Sequence, residues 1–176
     1  IDARLYDQIP NSDLRKAWFN GPEGAEQATD AASLPYASVK FGHVDDWTDN
    51  YMYMRAAEMI LIEAEAYAHM GDGAKAAEVL QELMDVRQPD WKKSNVSVED
   101  IHLQRRIELW GEGFAWFDLN RLEKPIIRTT SSNWPEAWIV DVDAHHDCRI
   151  WTLPDREIQN NDGIDESDNN PVGNPF

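Results

Sequence analysis

The strongest constraint on this chain lies on either side of Gly71-Asp72-Gly73. Ahead of that joint, YMYMRAAEMILIEAEAYAHM (residues 51–70) carries apolar or small residues all round a helical period and no proline. Behind it, GAKAAEVLQELMDVR sets Ala76, Ala77, Leu80, Leu83 and Met84 at helical spacing and stops ahead of Pro89. Glycine just past a helix end takes left-handed backbone without a Cβ penalty, so it is a stop signal. A joint this short returns the chain antiparallel, and the two segments form a helical hairpin. The first helix is apolar on nearly every side, so neighbours must bury it from several directions. Ser97 caps a third helix over about Val98 to Trp110, with Asp100 three residues on in an imperfect capping box. Gly111 and Gly113 break it, and a fourth helix runs from about Phe114 to Leu122 before Pro125. The fold class is mainly α.

Outside residues 51–124 the periodicity fades. Pro10, Pro22 and Pro35 punctuate an irregular lead-in over 1–50, in which Asn11-Ser12-Asp13 caps a short helix from Lys16 to Phe19 and ASVKF (37–41) reads as a short strand. Residues 125–176 form a loop-rich tail. Its Trp134, Trp138, Trp151 and Leu153 argue that it packs on the helices. The chain has 176 residues, enough for one domain with a core. No apolar run reaches the roughly 18 residues of a membrane helix, and the first residues show no basic head or apolar stretch of a signal peptide. With 33 acidic and 16 basic residues the net charge is −17, which offers no footprint for nucleic acid or anionic lipid.

The hairpin has a tetratricopeptide look: Ala64, Tyr67, Gly71, Ala76 and Leu80 supply small, aromatic, turn, small and large residues where such a repeat needs them. The following residues do not repeat the pattern. Four motifs in order then resemble the C-terminal part of the RagB/SusD family. YMRAAEMILIEAEAYAHMG matches through Arg55, Ala57, Glu58, Leu61, Ala64, Glu65 and Ala66, and LMDVR through Val86 and Arg87. RRIELWGEGFAWFDLNRL resembles the family's Glu-Gly and Asp-Leu-x-Arg signature, and LPDREIQNN with NNPVG its closing region. Asp13-Leu14-Arg15 resembles the Asp-x-Arg that precedes them. Gln104 departs from the usual Glu and Ala115 from a frequent Arg, so one interhelical ion pair is expected to be missing. The resemblance implies a SusD-like fold of tetratricopeptide-like hairpins packed with long irregular loops. It also implies a nutrient-binding lipoprotein at the surface of the outer membrane of Bacteroidetes, which passes an oligosaccharide or other nutrient to a SusC-type TonB-dependent porin. Family members run to several hundred residues, so residues 1–176 correspond to a C-terminal portion.

The charges within the helical block need partners, because an unpaired buried charge costs several kcal/mol. Arg55, Glu58 and Glu65 share one side of the first helix, and Arg87, Arg105, Arg106, Glu108, Asp118 and Arg121 supply both signs. The expectation is a structural ion network joining the helices, with Glu65 reaching an arginine of another helix. That reading leaves no catalytic residue, cofactor or metal. DVDAHHDC (141–148) lacks a second ligand cluster at zinc spacing. NNDGIDESDNN fails the EF-hand register, and Asp45, Asp46 and Asp49 read as a solvated lead-in to a helix. Cys148, the single cysteine, has no base in a nucleophile constellation. Of the eight tryptophans, Trp110 and Trp116 are assigned to the core, while Trp18, Trp47, Trp134 and Trp138 fall in irregular segments and are candidates to stack on sugar rings. The alternatives are a helical-repeat module for protein–protein interaction and, third, a glycoside hydrolase using the carboxylates of the 105–121 segment.

Overall fold

The computed structural model describes residues 1–25, 34–42, 48 and 52–171, and it is mainly helical. It divides into two compact units, Ile1–Ala115 and Trp116–Phe176.

In the first unit the hairpin consists of α2 (Ala56–His69) and α3 (Gly73–Arg87). At the joint, Gly71 has φ +81° and donates its N–H to the Ala68 carbonyl, while Asp72 N–H reaches Tyr67, so the carbonyls left open at the end of α2 are satisfied. Asp72 then caps α3 by accepting from Lys75 N–H. Small residues set the closeness of the pair: Ala64 and Ala76 have no exposed surface and lie in one core cluster with Leu61, Leu80, Leu83 and Met84. α4 (Val98–Glu108) packs on α2, and Ser97 and Asp100 close a complete capping box at its start. The loop ahead of α4 docks on α3, with Val96 N–H bonded to the Gly73 carbonyl at 3.0 Å.

Three features depart from the sequence reading. The lead-in contains α1 (Ala3–Asp7), capped by Asp2, which the sequence pattern did not suggest, whereas the short helix expected after Asn11-Ser12-Asp13 is present as a 3-10 turn over Leu14–Trp18, capped by Asp13. Its Leu5, Ile9 and Phe19 form a second core cluster with Ile107 of α4. ASVKF is no strand: only Ser38 pairs, with Phe19, in an isolated bridge. Finally, α2 starts at Ala56 and is not covered on every side, since Met59 (42% exposed) and Ile62 (48%) face solvent.

The second unit is organised differently. It holds most of α5 (Phe114–Arg121), α6 (Asp155–Asn160) and three short 3-10 turns. Among its described hydrophobic residues only Val142 is buried. Polar side chains bonded to backbone give it shape. Arg149, itself 5% exposed, donates to Asn120 Oδ1 and to the carbonyls of Lys124 and Asp143. Asn169 accepts from Leu153 N–H at 2.7 Å, and Asn170 donates to the Trp151 carbonyl. Trp151 and Trp138 are exposed.

Candidate functional site

Two charged or aromatic centres stand out, one in each unit. In the first unit the centre is Glu108 at the end of α4, with no exposed surface. Arg55 donates to its Oε1 at 2.9 Å, Arg87 holds it through Nε and Nη2 at 3.1 and 2.9 Å, and Arg15 Nη1 lies 3.6 Å from Oε2. Burial alone pushes the Glu108 carboxyl up. The hydrogen bonds from Arg87 and Arg55, with the charges of Arg87 and Arg15, outweigh it and hold the group below its ordinary value. Gly111, at φ +78°, turns the chain so that Glu112 also reaches Arg55, at 2.6 and 3.1 Å. Lys40 Nζ closes the arrangement by donating to Glu112 and to the carbonyls of Glu108 and Trp110.

Arg15, Lys40 and Glu112 were not assigned to a network from the sequence; Asp13-x-Arg15 was the only signal for the first. Asp13 and Arg15 form a fully buried pair at 2.6 Å, and Arg15 also donates to Gln104 Oε1. Gln104 thus supplies a neutral acceptor where a Glu would supply a third carboxylate beside one guanidinium. Elsewhere, Glu65 of α2 lies 3.7 Å from Arg105 Nε of α4 and 3.4 Å from His69. Asp118 and Arg121 pair with each other within α5. Glu58 forms no ion pair with any other described residue. A carboxylate gripped by three arginines and sealed from water is poorly suited to general acid–base work, which needs solvent or substrate access.

In the second unit the centre is the loop closed by the reciprocal backbone bonds of Ile126 and Val142, at 2.9 and 2.8 Å. Asp141 pins the start of the loop by accepting from Arg128 N–H, Thr129 N–H and Thr129 Oγ1, at 2.8, 3.1 and 2.7 Å. The Arg128 guanidinium then lies 4.2 Å over the Trp134 ring and donates to the Trp138 carbonyl. Trp138 ends the 3-10 turn Glu136–Trp138 and is 55% exposed. The loop therefore gathers one open indole, one indole with a guanidinium over its ring, and polar donors and acceptors. That combination suits a ligand with both apolar faces and hydroxyls.

The four candidate tryptophans separate accordingly. Trp134 and Trp138 come together about Arg128. Trp18 is half-buried against the Leu5 cluster, with Lys40 Nζ 5.0 Å and Arg87 Cζ 5.3 Å from its ring centre. Trp47 lies outside the described residues, as do Asp45, Asp46 and Asp49. Trp110 is half-buried edge-on to Phe19, and Trp116 is half-buried beneath Arg149. His146 Nδ1 accepts from Cys148 N–H, and among the described residues no three His, Cys, Asp or Glu side chains are placed to hold a metal ion.

Comparison with known proteins gives this geometry its context. The model of the SusD family matches residues 41–172. The chain belongs to the SusD family. It is 33% identical over 95 residues to a SusD-like protein, P38, of Formosa agariphila, an alignment covering 47% of this chain and 18% of that protein. A crystal structure of a SusD-like carbohydrate-binding protein from Bacteroides vulgatus superposes with a TM-score of 0.71 at 22% identity, over 97% of this chain and 42% of that one. A SusD superfamily protein from the same organism gives 0.71 at 21% identity, over 98% and 39%. The chain thus spans less than half the length of these relatives. The SusD-like fold is that expected from the helical hairpin and the four motifs.

Proposed function

We propose that this chain is the ligand-binding part of a non-catalytic glycan receptor, and that the loop of Trp134 and Trp138 takes the sugar. The observation that carries the reading is the open indole of Trp138 beside Arg128 and Asp141. An exposed indole stacks on the apolar face of a pyranose, and the neighbouring amide, hydroxyl and guanidinium groups bond its hydroxyls. The description of a SusD-like relative from Bacteroides vulgatus as a carbohydrate-binding protein supports the same ligand class. In this reading the protein works at the outer-membrane surface and passes its ligand to a SusC-type TonB-dependent porin. The enclosed Glu108 argues against hydrolysis at the 105–121 segment. The alternative, a helical-repeat interaction module, needs a groove of about three repeats, and one hairpin is recognisable here.

Calorimetry against a panel of neutral oligosaccharides tests the proposal. Trp138→Ala is expected to weaken binding about ten-fold or more, a loss of roughly 1.4 kcal/mol or greater. Undiminished binding by that variant overturns the assignment of the site. Release of reducing sugar overturns the receptor reading.

A further inference from the structure

Arg128 is held differently from the arginines around it. In the same unit Arg121 pairs with Asp118, and Arg149 donates to Asn120 Oδ1 and to two carbonyls. In the first unit Arg15, Arg55 and Arg87 close on Glu108. The Arg128 guanidinium has no such acid. Among the described residues it forms no ion pair, and its one hydrogen bond runs from Nη1 to the Trp138 carbonyl at 3.4 Å. Asp141 spends its carboxylate on the Arg128 and Thr129 N–H groups and on the Thr129 hydroxyl. Yet the group is not a loose surface cation. Arg128 is half-buried, and its guanidinium lies 4.2 Å over the Trp134 ring. Stacking fixes its plane and the Trp138 carbonyl fixes one corner, which leaves Nε and Nη2 as an oriented pair of donors. That edge belongs to a group bonded to Trp138, the residue whose indole is the open platform of the loop.

We infer that the sugar taken by this loop carries an anionic group, a uronate carboxylate or a sulfate ester, which binds the Nε and Nη2 edge of Arg128; the inference rests on the sugar site proposed above. Two parallel N–H donors at one edge match two oxygens of a carboxylate or a sulfate. A neutral hydroxyl engages one donor and leaves the charge uncompensated. A sugar that covered the guanidinium without supplying an acid would desolvate that charge unpaired, which is costly. The net charge of −17 repels any anion at long range. A preference for acidic sugars therefore comes from this local fork and not from the overall field, so one side chain decides it.

Calorimetry with matched pairs of oligosaccharides tests this, each pair sharing one backbone: oligogalacturonates against their methyl esters, and sulfated galactans against the same chains after desulfation. The acidic member of one pair is expected to bind about ten-fold or more tightly than its neutral twin. The pair that shows the preference tells carboxylate from sulfate. Arg128→Gln is expected to abolish the difference between the twins. Arg128→Lys, which keeps the charge and loses the fork, is expected to retain only part of it. Equal affinity for both members of both pairs overturns the inference, and so does a preference that survives in Arg128→Gln. If equal twins still bind and Trp138→Ala weakens both, the sugar site stands and only its acidic ligand is lost. If Trp138→Ala changes the binding of no sugar, the site falls and the inference with it.

Discussion

At the scale of single residues, Glu108 matters most. It lies at the end of α4, and its partners come from the lead-in, from the residue ahead of α2 and from the end of α3. Replacing it by Gln preserves shape but leaves Arg15, Arg55 and Arg87 facing one another around a neutral amide. Breaking a buried ion pair on one side costs about 3–5 kcal/mol, so Glu108→Gln is expected to lower urea-unfolding stability by that order. A change of less than about 1 kcal/mol would show that water already solvates the site. The sign with pH follows. The folded carboxyl is held below its usual 4.5, so its contribution is complete above that value and is lost as pH falls through the lower folded value. Part of this was legible in the sequence. Glu65 and Arg105 sit on periodic helices, so their meeting can be argued from register. Arg15 and Lys40 sit in segments without a period, and only tertiary packing brings them to the same carboxylate.

Among the elements, α4 shows how local chemistry fixes a boundary. Ser97 accepts from Asp100 N–H at 3.2 Å, and the Asp100 carboxylate accepts from Ser97 N–H at 2.9 Å and from Lys93 at 2.7 Å. Burial raises the Asp100 carboxyl, but the bonds from Lys93 and Ser97 prevail and bring it from 3.8 to about 2. Ser97→Ala is expected to cost about 1 kcal/mol, measured as a shift in the urea midpoint at unchanged m-value. In the wild type the carboxylate half of the box, the bonds Asp100 accepts from Ser97 N–H and Lys93, is complete above pH 3.8 and is lost as pH falls toward about 2, while the bond Ser97 Oγ accepts from Asp100 N–H does not titrate. A Ser97→Ala penalty as large at pH 2 as at pH 7 would assign the stabilisation to the bond Ser97 Oγ accepts from Asp100 N–H and not to the carboxylate. The cap was legible because its spacing is local. α1 was not, because five residues carry no readable period, and ASVKF was misread because one β-branched residue and one aromatic are a weak strand signal, and both Val39 and Phe41 lie exposed. α2 was misread in the opposite sense: apolar residues fill its whole period, yet Met59 and Ile62 lie exposed.

For the whole molecule, two opposing electrostatic effects can be separated by salt. The pairs around Glu108 are buried and are screened little by ions. The surface holds most of the imbalance between 33 acidic and 16 basic residues, and that repulsion favours the expanded chain. Motif order made the fold class legible from the sequence. The second unit was not legible, because its shape rests on Arg149, Asn169 and Asp141 bonding backbone groups, which leaves no hydrophobic period to find. Such a unit, with Val142 its one buried described hydrophobic, has little apolar burial to offset charge repulsion. Raising NaCl shortens the Debye length from about 30 Å at 0.01 M to under 10 Å near 0.3 M. The first thermal transition is therefore expected to move up by a few degrees, about 2–4 °C per kcal/mol of repulsion relieved for a chain of this size. If exposed pairs such as Lys75–Glu78 and Lys93–Asp100 carried the surface electrostatics instead, screening would weaken attraction and the transition would move down. The excess of acidic over basic residues, and the small worth of exposed pairs, favour the upward shift.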